Sequence, residues 1–400
     1  MKPLAAGTPA TTVDLVYFNA GGGHRAAAVA LQAALAVQSP EWRVRLVHLF
    51  EVLDPQGQFV RFTGMPPEAY YNKRLARGWT FGLAQELKVL QGMIRVGHGW
   101  LVRSLEQHWR AAAPDLVVSL VPNFNRALYE SLAAARPGVP FVTVLTDLAD
   151  YPPHFWIEPG QQQDVVCGSP RAVEQALHAG YPAARVHAVS GMLLRSEFYS
   201  PPPPDRAAAR RRLGLDPERP TGLVMFGGHG SSAMQAIARA LPDTQLILMC
   251  GHNTALLRRL RSLPAEAPRS VVGFTTEMPG YMQIADFFIG KPGPGSLSEA
   301  VHMKLPVIVT RNAWTMPQER YNATWVRENG VGIVLRSFRS IHPAVESLVN
   351  QLHDFRAATA RLENRAAYEV ADRLAAILSR TQCSTTAPAG ESSVAQVSPL

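Results

Sequence analysis

VDLVYFNAGGGHRAAAVA, residues 13–30, joins a short apolar run to an alanine-rich segment through three glycines and a histidine. The β-branched and aromatic residues of the run favour a strand, and the alanines that follow favour a helix. LVMFGGHGSSAMQAIARA, residues 223–240, repeats the arrangement. Two such units predict two tandem α/β domains, each beginning with a strand, a glycine turn and a helix.

The rest of the chain also alternates strand-like and helix-like segments. The apolar runs that we interpret as further strands are 42–49, 115–122, 140–147, 164–169 and 185–191 in the first half, and 221–228, 245–251, 270–274, 285–290 and 305–310 in the second. Strands separated by helical stretches are typical of a parallel, doubly wound sheet. We therefore expect an α/β protein.

SPPPPD at 200–205 marks the predicted domain boundary, because consecutive prolines hold the chain extended and remove backbone donors. A chain of 400 residues is also longer than a single core usually becomes. The last residues are rich in Ser, Ala and Pro, which predicts disorder. The predicted organisation is a flexible N-terminus at 1–12, a first domain at 13–199, a linker at 200–218, a second domain at 219–380 and a disordered tail at 381–400.

The composition is that of a globular protein, with 47% hydrophobic and 18% charged residues. Cys167, Cys250 and Cys383 are isolated from one another, which favours a reducing compartment and argues against a structural zinc site. The N-terminus lacks the apolar segment of a signal peptide, and no apolar run is long enough to span a bilayer. We expect a cytoplasmic protein.

The first glycine turn, Gly21 to Gly23, is predicted to follow a strand at the edge where open α/β sheets bind ligands. The helix after it directs unpaired N–H groups and its positive dipole end into that crevice. An imidazole can take up a proton near neutral pH, so His24 is a candidate base for a hydroxyl group, and capping of the helix is the alternative. The spacing Gly21-x-Gly23-x-x-Ala26 also fits a dinucleotide-binding turn, which keeps a nicotinamide-dependent oxidoreductase as an alternative function.

GKPGPGSLSEA at 290–300 carries the most specific signal of the second half, where a second anion-receptive glycine turn lies at 227–231. A rigid loop follows an apolar strand, and Ser296 is predicted to cap a helix that carries Glu299 in its first turn. Backbone amides, the helix end and Lys291 suit a diphosphate, and the Glu299 carboxylate suits the two hydroxyls of a ribose. These features predict a site for a nucleotide diphosphate.

MPQERYNA at 316–323 places Gln318, Glu319 and Asn322 just after another predicted strand end. These side chains can bond sugar hydroxyls. Their position next to the nucleotide loop favours that role over an ordinary surface loop.

Residues 61–110 hold eight Lys or Arg against three acidic residues, which accounts for most of the net charge of +8. Within 70–109, tryptophans and basic residues are interspersed, among them Arg74, Arg77 and Trp79. This mixture suits an anionic membrane surface, and ordinary helices with a solvated basic face are the alternative. Nucleic acid is not an expected partner, because no nucleic-acid-binding motif is recognisable.

Four stretches, GGGH at 21–24, TDL at 146–148, GKPGPGSLSEA at 290–300 and PQERYNATWVRENGVG at 317–332, resemble glycosyltransferase family 28. Within it they resemble the branch of monogalactosyldiacylglycerol synthases and processive diacylglycerol glucosyltransferases. The resemblance covers residues 13–378 and implies a GT-B fold, in which two Rossmann-like domains face a central cleft. It also implies inverting transfer of a hexose from UDP-glucose or UDP-galactose to diacylglycerol or a related lipid, with no metal cofactor, on the cytoplasmic face of a membrane.

The resemblance also implies roles for individual residues. The donor side comprises Gly228 and Ser231 for the phosphates or the acceptor, a loop with Thr275 for uracil, Gly293, Gly295 and Ser296 for the diphosphate, Glu299 for the ribose, and Gln318 and Glu319 for the sugar. On the acceptor side, His24 with Gly22 and Gly23 lies near the reacting hydroxyl.

The chain differs from the family pattern just after the TD of its fourth predicted strand, where the family has a histidine and a tryptophan. Here the run is TDLADYPPHFW, in which prolines interrupt the spacing of His154 and Trp156. Both are assigned to the acceptor and membrane side, and the difference leaves the acceptor open. Asp147 is predicted to orient His24, to act as the base or to serve as a structural cap. A non-catalytic lipid- or nucleotide-binding module and a transferase with a polyprenyl or soluble acceptor are further alternatives.

Overall fold

A computed structural model describes residues 11–19, 22–64, 83–151, 154–202 and 205–386 of the chain. In that part of the chain, two six-stranded sheets form the centres of two α/β domains. Most of the predicted flexible N-terminus, residues 1–10, and most of the predicted tail, residues 387–400, lie outside the described residues.

The first sheet consists of β1 (Thr12–Tyr17), β2 (Arg43–His48), β3 (Leu116–Ser119), β4 (Phe141–Val144), β5 (Asp164–Cys167) and β6 (Val186–Ala188). Its order is β2-β1-β3-β4-β5-β6, and every pair is parallel. The helices around it are α1 (Gly23–Gln38), α2 (Leu49–Leu53), α3 (Gln58–Thr63), α4 (Leu83–Val96), α5 (His98–Ala112), α6 (Asn125–Ala135) and α7 (Pro170–His178).

The second sheet consists of β7 (Thr221–Met225), β8 (Gln245–Met249), β9 (Arg269–Val272), β10 (Phe287–Gly290), β11 (Val307–Thr310) and β12 (Gly332–Leu335). Its order is β12-β11-β10-β7-β8-β9, again with parallel pairs only. The helices that follow α7 along the chain are α8 (Arg206–Arg212), α9 (Ala233–Ala240), α10 (Thr254–Arg261), α11 (Met278–Ile284), α12 (Pro294–His302), α13 (Arg320–Glu328), α14 (Ile341–Asn350), α15 (Leu352–Ala360) and α16 (Ala366–Thr386).

The central strands are apolar because helices cover both of their faces. Every residue of β3 and of β7 is buried, although both strands contain polar or small residues such as Ser119 and Thr221. Continuous apolar runs are what a parallel sheet covered on both sides requires. The predicted doubly wound α/β architecture is confirmed.

Each sheet has one point where the strand order reverses direction. In the first sheet it lies between β1 and β3, and in the second between β7 and β10. Crevices that bind ligands open at the carboxyl ends of the strands at such points. The start of α1, which carries His24, therefore lies at the first of these positions. The turn at 227–231 and the loop after β10 lie at the second.

The boundaries of the domains differ locally from the prediction. Thr12 already belongs to β1. Helix α8 falls inside the predicted linker 200–218, but it packs on the second domain, where Arg206 and Arg210 bond Asp286 over 2.9 and 2.5 Å. Residues 206–212 therefore belong to the second domain and not to the linker.

The last helix, α16, returns from the second domain to the first. Its buried residues Val370, Leu374 and Ile377 share an apolar cluster with Leu31 and Leu35 of α1. Residues 366–380, predicted as part of the second domain, thus complete the core of the first. The helix continues to Thr386, where a disordered tail was predicted from 381.

Candidate active site

The carboxyl ends of β1, β3 and β4 meet at one edge of the first sheet, because these strands are neighbours. Helix α1 begins at Gly23, and its N-cap Gly22 has φ +79°, a left-handed conformation that glycine adopts readily. His24 lies in the first turn of the helix. The alternative role of His24 as the helix cap is therefore wrong, since Gly22 occupies the cap position.

The Nδ1 atom of His24 lies within hydrogen-bonding distance of two groups. This atom lies 3.0 Å from the carbonyl oxygen of Leu120, after β3, and 3.1 Å from Oγ1 of Thr146, after β4. A carbonyl oxygen only accepts, so the contact assigns the proton of the neutral ring to Nδ1 and the lone pair to Nε2. This tautomer suits a base that takes a proton on Nε2. Thr146 had no predicted role, although its TDL motif was recognised.

Asp147 lies beside Thr146 and is 6% exposed. Its Oδ2 accepts a hydrogen bond of 3.0 Å from the indole Nε1 of Trp156. Burial raises the pKa of Asp147 to about 7, against the lowering effect of the Trp156 N–H; Glu319 raises it further and Lys291 lowers it. Because Glu319 and Lys291 belong to the second domain, Asp147 faces the cleft between the two sheets. A carboxyl group with this pKa can exchange a proton near neutral pH.

Two residues that were assigned to the acceptor and membrane side, Trp156 and His154, make contacts within the first domain. Trp156 is 0% exposed, so it does not reach a membrane surface, and that assignment is corrected. His154 is half-buried with φ +75°, and its Nδ1 lies 3.1 Å from the carbonyl oxygen of Ile157 in the same loop. The indole packs inward because it supplies a donor to the buried Asp147.

The corresponding edge of the second sheet lies around the loop that follows β10. Lys291 donates from Nζ to Oε1 of Glu319 over 2.8 Å, and Glu319 is 4% exposed. Asn322, fully buried, donates from Nδ2 to the carbonyl oxygen of Pro292 over 2.7 Å. The fold thus brings the predicted diphosphate and sugar residues together. Asn322 supports the loop from the protein interior and exposes no surface to a sugar. Its assignment to sugar binding is therefore corrected.

Helix α12 begins one residue after Gly293, at Pro294. Proline suits the first helical position because its φ is fixed and it has no N–H to satisfy. The predicted capping by Ser296 is wrong, since Gly293 is the N-cap and Ser296 lies inside the first turn. Glu299 consequently lies in the second turn rather than the first. The amides of Gly295 and Ser296 remain in the first turn, where helices have no intrahelical acceptor for them.

Gly293 and Glu299 show how closely this region is packed. A Cβ at position 293 would lie 3.3 Å from Cε of Lys291, 3.4 Å from Oγ of Ser296 and 3.5 Å from Oε1 of Glu319. A side chain there would crowd the ion pair. Glu299 is half-buried, and burial raises its pKa to about 7, although the charge of Arg195 lowers it.

The second glycine turn packs its backbone against the loop after β8. The carbonyl oxygen of Gly228 accepts a hydrogen bond of 2.8 Å from the amide of His252. A Cβ on Gly251 would clash with that oxygen. Ser231 accepts from the amide of Ala233 over 3.2 Å just before α9. Gly228 and Ser231 therefore shape the turn, and its approach to the loop after β8 requires glycine at position 251.

An exposed aromatic pair follows β8 and β9. The rings of His252 and Phe274 stack with centroids 4.0 Å apart and an angle of 19°, and Phe274 is 62% exposed. Thr275 comes next, and its Oγ1 accepts from the amide of Glu277 over 3.0 Å. Sequence reasoning missed this pair, because the two residues come from different loops that are adjacent only through the pairing of β8 with β9.

Residues 224–380 match the model of the glycosyltransferase family 28 C-terminal domain. The second domain is therefore similar to the C-terminal domain of that family. The Arabidopsis thaliana protein named monogalactosyldiacylglycerol synthase 1, chloroplastic, is 30% identical over 352 residues, which cover 83% of this chain and 64% of that protein. The chain thus spans less than two thirds of the length of that relative. The predicted resemblance to family 28 is confirmed.

Solved structures confirm the GT-B fold. MurG of Acinetobacter baumannii superposes with a TM-score of 0.58 at 13% identity, over 92% of this chain and 99% of that one. CalG4, the calicheamicin glycosyltransferase, superposes with a TM-score of 0.57 at 17% identity, over 93% and 99%. At these identities the similarity is one of fold.

Gln318 lies in the short 3₁₀ turn Pro317–Glu319 and is half-buried. Its Nε2 lies 3.8 Å from the sulfur of Met316. The turn follows β11, which is next to β10 in the sheet. Gln318 is therefore held beside the Lys291–Glu319 pair by the order of the strands.

The first domain also presents an exposed apolar stripe, formed by Val89, Met93, Val96 and Trp100. The first three lie at i, i+4 and i+7 of α4 and are 61%, 60% and 92% exposed; Trp100, in α5, is 53% exposed. Exposed basic residues accompany the stripe: Lys88, Arg95 and Arg103. Apolar and basic groups side by side are what an amphipathic surface needs to rest on an anionic bilayer.

Arg74, Arg77 and Trp79, the other residues predicted for the membrane, lie in 65–82, outside the described residues. Among the helices that the structure does describe, none is both long and apolar enough to cross a membrane. In the same part of the chain, no three His, Cys, Asp or Glu side chains are grouped as a metal site would require. Transfer without a metal stays a prediction.

Proposed function

We propose that this chain is an inverting hexosyltransferase that moves glucose or galactose from a UDP-sugar to the hydroxyl group of a membrane lipid, diacylglycerol. The observation that carries the proposal is the meeting of the two strand edges. Asp147 of the first domain lies close enough to Lys291 and Glu319 of the second for their charges to act on it. One edge carries groups able to take a proton, and the other an anion-receptive helix end. Two substrates bound on opposite domains would react there.

The diphosphate would bind at the first turn of α12. The amides of Gly295 and Ser296 and the positive end of the helix dipole favour an anion at that point. Lys291 supplies the positive charge, and it would exchange its bond to Glu319 for one to a phosphate oxygen. Glu319, thus released, would accept hydrogen bonds from sugar hydroxyls together with Gln318.

The nucleoside would extend from the diphosphate towards β9. Glu299, one turn further along α12, would accept hydrogen bonds from the ribose hydroxyls. The uracil would lie against the exposed face of Phe274, with Thr275 at its edge. Flat apolar rings that remain exposed at a strand end suit stacking with a planar base.

The transfer itself would be a direct displacement. The acceptor hydroxyl attacks the anomeric carbon from the side opposite UDP, so a new carbon–oxygen bond forms as the bond to the phosphate oxygen breaks. Nε2 of His24 takes the hydroxyl proton, and UDP leaves with the electron pair. Lys291 and the amides of α12 stabilise the charge that develops on UDP. Inversion at the anomeric carbon follows from this geometry.

The lipid acceptor is supported by the exposed surface and by the relatives. The stripe of Val89, Met93, Val96 and Trp100 would enter the interface of the bilayer, and the basic residues beside it would contact anionic headgroups. Diacylglycerol stays in the bilayer, so its enzyme has to dock there. The Arabidopsis relative is named a monogalactosyldiacylglycerol synthase, which supports both the hexose and the lipid. We place the docking on the cytoplasmic face.

The product of the reaction tests the proposal. The purified chain would be incubated with UDP-glucose or UDP-galactose and vesicles that contain diacylglycerol, and the anomeric proton of the extracted glycolipid measured by NMR. A β-linked product from the α-linked donor is expected. An α-linked product would contradict inversion, and equal turnover with vesicles lacking diacylglycerol would contradict the acceptor. Lys291→Met serves as the matched variant with a weakened donor site.

A further inference from the structure

Trp156 lies between the two candidate groups of the first domain and contacts both. Its indole N–H donates to Oδ2 of Asp147 over 3.0 Å, and its ring centroid lies 5.9 Å from that of His24 at an angle of 48°. The side chain is fully buried. A buried indole that contacts two titratable groups fixes the orientation of each relative to the other.

The backbone of Trp156 is itself held at both of its polar groups. Its amide donates to Oδ1 of Asp150 over 2.7 Å, and its carbonyl oxygen accepts from Nδ2 of Asn125 over 2.9 Å. Asn125 is fixed in turn by the hydroxyl of Ser119, at the end of β3, over 2.6 Å. Asn125 and Ser119 are fully buried. Hydrogen bonds to buried residues of β3 and α6 therefore fix the backbone of Trp156, and with it the position of the indole.

We propose that Trp156 is a positioning residue for the transfer reaction: its indole N–H holds the Asp147 carboxyl towards the Lys291–Glu319 pair while its ring supports His24. This inference rests on the proposed function. Loss of the N–H would free the buried carboxyl to rotate away from the cleft. The ring volume alone would still support His24, so the two contributions can be separated by substitution.

The charges around Asp147 give the sign of the expected effect. Asp150 lies on the same loop, Glu319 and Lys291 face it from the second domain, and His24 packs on the other side of the indole. The indole N–H favours the ionised carboxyl. Its removal therefore raises the pKa of Asp147 further above its usual range.

The test compares two substitutions of buried tryptophans in the same domain. Trp156→Phe keeps a ring and removes the N–H that bonds Asp147. Trp109→Phe is the matched control, because Trp109 is also fully buried and its Nε1 donates to Oγ of Ser131 over 2.9 Å, away from the cleft. For Trp156→Phe we expect kcat to fall roughly ten- to a hundredfold and the acidic limb of the pH–rate profile to move to higher pH. UDP binding measured by calorimetry should be unchanged.

Equal kcat and equal pH profiles for the two variants would overturn the inference while leaving the proposed function in place. Absence of sugar transfer by the unsubstituted chain would instead contradict the proposed function. A second measurement does not depend on activity or on a folded variant. The indole proton resonance of Trp156 should shift with a midpoint near the pKa of Asp147, about 7. No shift between pH 5 and 9 would also overturn the inference.

Discussion

Asp147→Asn should stabilise the protein above pH 7. Burial raises the pKa of this carboxyl from 3.8 to about 7 in the folded protein. In the unfolded chain the group is solvated and ionises near its ordinary value, so the folded state binds the proton more tightly. The stabilisation that the carboxyl provides is therefore complete below about pH 4 and is lost as the pH rises through 7.

The size of the effect follows from the shift. About three pKa units correspond to about 4 kcal/mol of unfolding free energy. Asparagine does not ionise, and its amide oxygen can still accept the Trp156 N–H. We therefore expect Asp147→Asn to gain up to about 4 kcal/mol at pH 8 and little at pH 4, while transfer activity falls because the carboxyl is lost.

Thermal and denaturant unfolding between pH 4 and 8.5 would measure the difference. Asp286→Asn is the matched control with the opposite sign. Asp286 is also buried, which alone would raise its pKa, but Arg206, the Thr221 amide and Arg210 outweigh burial and lower it. Asp286→Asn should therefore destabilise the protein at neutral pH. A stability difference for Asp147→Asn that does not vary with pH, or a loss of stability at pH 8, would refute the reasoning.

Further substitutions test the site and the surface. His24→Ala should lower kcat by about 10² to 10⁴ with UDP binding unchanged, the usual effect of losing a general base; near-normal turnover in membranes would remove that role. Glu299→Ala should raise the donor KM, and unchanged UDP affinity in calorimetry would argue against the ribose contact. Gly293→Ala should also weaken UDP binding, since its methyl group would crowd the Lys291–Glu319 pair. A Met93→Glu and Val96→Glu double variant should no longer float with anionic vesicles but should keep its UDP affinity; undiminished flotation would contradict the docking surface.

Most of the fold could be predicted from local patterns. Apolar runs located the strands β1 to β11, and the central ones are apolar throughout because they are buried on both faces. The strand β12, GIVL, was missed, although β9 at the opposite edge of the sheet, which is also half-buried, was located. The return of α16 to the first domain was also missed. An amphipathic helix shows which face is buried but not which domain covers it.

The candidate site could be predicted only in part. Glycine turns and a lysine after a strand pointed to the diphosphate loop, and the loop forms at the expected sheet edge. The start of α12 was misplaced because Ser296 resembles a cap, whereas Pro294 fixes the first helical residue. Trp156 contacts Asp147 across a loop, and His252 stacks on Phe274, which comes from a different loop. Such contacts depend on the strand order, which local patterns do not contain.

The most direct test of the central claim is a lipid-labelling experiment. The purified chain would be incubated with vesicles containing diacylglycerol and, in separate reactions, radiolabelled UDP-glucose and UDP-galactose, and the lipids would then be extracted. The account predicts label in the organic phase with one of the two donors, and none with His24→Ala. Release of UDP with all label remaining in the aqueous phase would contradict the lipid acceptor, and absence of UDP with both donors would contradict the donor itself.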